Sequence, residues 1–105
     1  MIEKRFEIRS IECAFRDQRG EIFNILEDLV IKHVARYTSN EGALRGNHYH
    51  PEGIEAIFLE SGRCALYLKD PDDSTSSMAC HIVIPQHQIA IYDARYAHAM
   101  KYMEP

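Results

Sequence analysis

Residues 42–62 read GALRGNHYHPEGIEAIFLESG, from Gly42 to Gly62. His48 and His50 are two residues apart, so on an extended strand both imidazoles leave one face and Tyr49 leaves the other. Glu55 follows across the turn signal Pro51 to Gly53, from where a next strand carries its carboxylate back toward the same spot. Two neutral nitrogens and a carboxylate aimed at one point suit a divalent metal ion. His98, in the late stretch YDARYAHAM, is a candidate fourth donor.

Working outward, a period of two recurs, and windows of helical spacing longer than about ten residues are hard to find. Strand-like β-branched or aromatic content falls over 22–26, 30–37, 48–50, 55–59, 63–69, 78–84 and 89–92. Turn signals separate these runs, and the longest is the polar stretch 70–77. The pattern predicts one all-β domain over 1–105, without linker or repeat. Pattern alone does not separate a jelly-roll barrel from an immunoglobulin-like sandwich. The histidine pair favours the barrel, whose mouth can hold a site.

The totals narrow the partners. With 46% hydrophobic and 27% charged residues the chain is of globular type, and its net charge of -4 argues against nonspecific binding to nucleic acid. Cys13, Cys64 and Cys80 are odd in number, widely spaced and without a CxxC pair, which points to buried, inert thiols in a reducing, cytoplasmic setting. The charged, alternating N-terminus MIEKRFEIRS is unlike a signal peptide, and no apolar run approaches the ~20 residues of a membrane helix. A soluble protein is expected.

The run 42–62 resembles the first motif of the cupin superfamily: glycine, five residues, histidine, one residue, histidine, three or four residues, glutamate, six residues, glycine. Gly42, His48, His50, Glu55 and Gly62 fill it without a gap. Of the second cupin motif only the histidine is present, as His98; its two glycine positions and its proline are His87, Arg95 and Asp93, and its asparagine is Tyr102. The resemblance implies a cupin-type double-stranded β-helix, that is, a jelly-roll barrel. It also implies one divalent transition metal (zinc, manganese, iron or nickel) held by His48, His50, Glu55 and His98.

Two segments are similar to sugar-nucleotide cupins. Phe15, Asp17, Arg19 and Gly20, then Gly42, Arg45, Gly46, His48 and Tyr49, match segments of the rhamnose-pathway 3,5-epimerases. The string RGNHYH resembles the zinc cupin domain of capsule-polysaccharide reductases. The likeness implies phosphate binding by Arg19 and Arg45, and epimerisation or isomerisation of a keto sugar nucleotide. Such chemistry needs a base near neutral pKa and a group that holds an enolate oxygen. If His48 is a ligand, the base falls to another group: His33, Glu60 or a metal-bound hydroxide, with Tyr92, Tyr96 or Tyr102 as donors opposite. His33 and Tyr96 are the catalytic candidates. His81 and His87 read as surface residues. A dioxygenase-type cupin and a noncatalytic cupin that binds metal or a small ligand are the alternatives. A short cupin hides its sheet edges by pairing, so a homodimer is expected.

Overall fold

The computed structural model describes residues 4–73, 75, 77–83, 85 and 87–104. Parts of the sequence expectations at Met1 to Glu3, Ser74, Ser76, Ile84 and Gln86 lie outside these. The described chain is all-β. Its nine strands are β1 (Phe6–Ser10), β2 (Cys13–Asp17), β3 (Gly20–Phe23), β4 (Leu44–His48), β5 (Ile54–Phe58), β6 (Arg63–Lys69), β7 (Ala79–Val83), β8 (Gln88–Asp93) and β9 (Ala97–Glu104). No helix long and apolar enough to cross a membrane is present among the described residues.

The strands form three antiparallel sheets, ordered β1-β8-β5, β2-β3 and β4-β9-β6-β7. From β4 onward the pairing is nested: β6 with β7, β5 with β8, β4 with β9. One register runs through the two inner pairs, since Ile54 with Asp93, Phe58 with Ile89, Cys64 with Val83 and Leu68 with Ala79 all add to the same total. The outer pair departs from it by one residue at His48 with His98 and by two beyond the bulge between Gly46 and His48. Residues 44–101 are therefore one long hairpin folded over on itself. Its first and third rungs share a sheet through β6 and β9, and its second rung lies in the other sheet.

The two larger sheets share one core. Cys64, Leu66 and Leu68 of β6, Val83 of β7, Ala90 and Tyr92 of β8, and Met100 and Tyr102 of β9 are buried together, with Phe6, Ile8 and Ile57 against them. These residues alternate along their strands, so the inner faces meet like two pages. The apolar run of β8 is buried on both sides: Ile89 and Ile91 point outward and are covered by Ile11, Leu26, Leu29 and Phe58.

Two sequence expectations are corrected here, and a third is met only in its all-β part. Residues 30–37 form no strand, and Val30 and Val34 are exposed; β-branched content makes a strand only where an edge offers hydrogen-bond partners, and this segment lies along none. No closed barrel forms among the described residues, because no ladder joins the two larger sheets; the nested hairpin supplies three rungs, and β1 takes the remaining place beside β8. Of the three thiols only Cys64 is buried, while Cys13 and Cys80 are exposed.

The β2-β3 hairpin is a sheet of its own with Phe15, Ile22 and Phe23 exposed. The radius of gyration of 15.0 Å exceeds the ~13 Å of a compact domain of this length. The molecule thus carries an arm beside a two-sheet body.

Candidate metal centre

Register and alternation bring the site together at one end of the space between the sheets. His98 of β9 lies opposite His48 of β4 on one side and Leu68 of β6 on the other. In the facing sheet Glu55 of β5 lies opposite Tyr92 of β8, with Phe6 of β1 beyond. Two cross-strand pairs, His48 with His98 and Glu55 with Tyr92, thus confront each other across the interior.

His50 reaches the same place by a different route from the one its spacing suggested. Strand β4 stops at His48, so Tyr49 and His50 belong to the connection to β5. That connection is fixed by backbone hydrogen bonds: the His50 N–H donates to the Ala94 carbonyl at 2.9 Å, and the Ala94 N–H donates to the Gly53 carbonyl at 2.9 Å. The imidazole still meets its neighbours, with ring centres 5.0 Å from His48 and 6.3 Å from His98; His48 and His98 are 4.6 Å apart. The position of His48 depends on Gly46, whose φ is +90° and where a Cβ would stand 2.8 Å from the His98 carbonyl oxygen. Only glycine allows that approach of β4 to β9.

Hydrogen bonding fixes which atoms face the centre. His98 Nδ1 lies 2.9 Å from the Tyr96 carbonyl oxygen; a carbonyl only accepts, so Nδ1 carries the proton and neutral His98 presents a lone pair at Nε2. That Nε2 stands 3.5 Å from Glu55 Oε2, and His50 Nε2 stands 3.6 Å from Glu55 Oε1. Donors about 2.1 Å from one ion at a tetrahedral angle are ~3.4 Å apart, so both gaps fit a shared cation. The Tyr92 hydroxyl donates to Glu55 Oε2 at 2.6 Å. Burial, reinforced by this bond to a carboxylate, pushes the Tyr92 phenol far above its ordinary pKa, so it stays a donor.

The set grades from interior to solvent. The His98 side chain is 1% exposed, Glu55 35% and His50 52%, so the centre is closed behind and open in front. Among the described residues no three His, Cys, Asp or Glu side chains already form a metal-binding group; His50 and His98 flank the Glu55 carboxylate, and the His48 ring lies beside those two imidazoles.

Other proposed site residues divide. Arg45 pairs with Met100, one inward step from His98 on the same face. Its guanidinium donates to Ser39 Oγ and the Thr38 carbonyl and lies over the Tyr37 ring, 5.2 Å from the centroid. The Tyr37 and Tyr102 hydroxyls are 2.5 Å apart beside it, a pair that the sequence did not suggest. Arg19 lies instead on the β2-β3 turn, paired with Asp17 and 80% exposed.

His33 is exposed in the non-strand segment, so it faces no lumen. Glu60 is engaged by Arg36 on the surface. The Tyr96 hydroxyl is directed to the Lys4 carbonyl at 3.5 Å, and only its backbone oxygen serves the centre. His81, read as a surface residue, packs its ring against Phe6 with centroids 4.3 Å apart, whereas His87 is exposed as expected. The chain matches no protein-family model, no curated protein and no solved structure.

Proposed function

We propose that this chain is a small cupin-type metal protein in which His48, His50, Glu55 and His98 hold one divalent transition metal beside a pocket for a small carbonyl-bearing molecule. The observation that carries the reading is that the Glu55 carboxylate is flanked by two imidazoles, with His98 Nε2 3.5 Å from Oε2 and His50 Nε2 3.6 Å from Oε1. The Nδ1–H of His98 is committed to a carbonyl, so neutral His98 turns an acceptor toward an acceptor in a largely buried place. Such a pair calls for a cation beside the carboxylate or a second proton on His98. Zinc, manganese, iron and nickel all suit three imidazoles and a carboxylate. The nested hairpin wound into two facing sheets supports the double-stranded β-helix reading, since a jelly roll is such a hairpin.

A keto sugar nucleotide is the substrate class we favour, and epimerisation or isomerisation the reaction. When bound, a divalent ion supplies a Lewis acid for a carbonyl oxygen. Arg45, exposed on β4 opposite Met100, contributes positive charge beside the centre, and among the described residues no carboxylate pairs with it, which suits a diphosphate. The buried Tyr102 phenol, raised in pKa by burial and by its bond to Tyr37, contributes a hydroxyl that keeps its proton. Tight metal retention, together with deuterium exchange beside the ketone of a dTDP or UDP 4-keto sugar in heavy water, is expected; neither exchange nor binding of these nucleotides would overturn the sugar-nucleotide reading.

One observation favours a second reading, a noncatalytic cupin that binds metal and a small ligand. His33, Glu60 and Tyr96, the expected base and acid, all stand away from the centre. Ligand binding without turnover separates the two. In either case a second copy of the chain is the proposed partner, covering the exposed apolar arm; a monomer by light scattering would refute this.

A further inference from the structure

Tyr92 is a buried side chain whose hydroxyl bonds to the donor set without belonging to it. It is fully buried in β8 between β1 and β5, so its ring is held by Phe6, Ala90 and the rest of the core. Its hydroxyl has one described partner, Glu55 Oε2 at 2.6 Å, and its ring lies 5.1 Å from that of His98. Glu55 projects from β5 into a partly open space, and its two oxygens face different imidazoles: Oε1 toward His50 and Oε2 toward His98. An unrestrained carboxylate there would rotate and offer either oxygen, or both.

We infer that Tyr92 is a positioning residue that commits Glu55 to a single donor oxygen, with Oε2 engaged by the phenol and Oε1 left as the freer electron pair. This rests on the metal reading above and extends it to a residue outside the ligand set. The physical ground is that a short O–H···O bond to a carboxylate both occupies a lone pair and fixes the torsion of the group. A hydroxyl anchored in a packed core does this without the entropy cost that a flexible surface donor would bear. A Glu55 so restrained keeps part of a metal's coordination sphere clear for a substrate oxygen.

The test uses the full-length protein freed of metal and titrated with Co(II), whose visible absorption reports coordination geometry. Tyr92→Phe is expected to weaken Co(II) binding about 10- to 100-fold, the usual effect of removing such a supporting group, and to alter the absorption bands. Tyr67→Phe, which deletes a hydroxyl on the other face of β6, beside Cys80, is expected to leave both unchanged. In a Glu55→Gln background, Tyr92→Phe should add nothing, because the phenol acts through the carboxylate.

Infrared spectra of the wild type give a readout that needs no variant at Tyr92. Carboxylate bands that appear with Co(II) and vanish in Glu55→Gln should have the wide separation of a one-oxygen ligand. If wild type binds Co(II) but Tyr92→Phe binds within twofold with the same spectrum, or the infrared bands are those of a two-oxygen ligand, this inference fails and the metal reading stands. If wild type binds no Co(II), both fail.

Discussion

Gly46 gives the sharpest local test, because its φ of +90° is combined with a neighbour that cannot move. Gly46→Ala puts a methyl group 2.8 Å from the His98 carbonyl oxygen and 3.3 Å from Ala99 Cα, both backbone atoms of the central strand β9. Gly42 supplies the comparison: its φ is +81°, but nothing lies within 4 Å of a Cβ there. Placing alanine in the left-handed region costs on the order of 1 kcal/mol at either site. The clash at Gly46 adds about 1–3 kcal/mol, the usual cost of forcing extra volume into packed structure. At ~4–8 °C per kcal/mol for a small domain, Gly46→Ala should melt on the order of 10 °C below Gly42→Ala. Circular dichroism melts of metal-free protein measure this directly. The displaced β4 also moves His48 relative to His98, so Gly46→Ala should weaken metal binding while Gly42→Ala does not. Equal melting temperatures for the two variants would refute the close approach of β4 to β9.

Two further outcomes follow from burial and charge. Cys64 is buried, and burial pushes its thiol up to about 11, so at pH 8 a disulfide reagent should label Cys13 and Cys80 promptly and Cys64 only after denaturation; three fast thiols would contradict the core. Asp93 accepts from the Arg95 side chain and backbone N–H, which lowers its pKa from the carboxylate value. A lowered folded pKa means that the contribution is present above the unfolded value of ~3.9 and is lost as pH falls through the folded one. Urea unfolding should therefore show Asp93→Asn weaker than wild type by about 1–2 kcal/mol at pH 7, with the difference shrinking below pH 4. A difference as large at pH 3 would rule out the charge as its source.

Much of the site was legible because its information is local. The spacing of His48, His50 and Glu55 around a proline–glycine turn survives, although His50 arrives from a loop and not from the strand. The run 63–69 became β6 unchanged, and the apolar run 89–92 lies within β8. What escaped was non-local. Phe6–Ser10 read only as charged and alternating, yet it is a strand because β8 offers it an edge. Residues 30–37 carry strand-like side chains but lie along no edge, so the pattern misled there and took His33 with it. The pairing of Tyr37 with Tyr102 spans most of the chain and left no mark in sequence spacing. Arg19 and Arg45 sit in similar Arg-Gly contexts, and only tertiary structure separates the one on the hairpin turn from the one opposite Met100 on β4.

The central claim is that four side chains from β4, the following loop, β5 and β9 share one ion. Calorimetric titration of the metal-stripped protein with Zn(II) tests it most directly, run beside alanine variants of His48, His50, Glu55 and His98 and of the three remaining histidines, His33, His81 and His87. The account predicts one ion per chain, binding lost or greatly weakened in each of the first four variants, and binding retained in the other three. Absence of binding, or binding that survives the first four and falls with His33, His81 or His87, would contradict it.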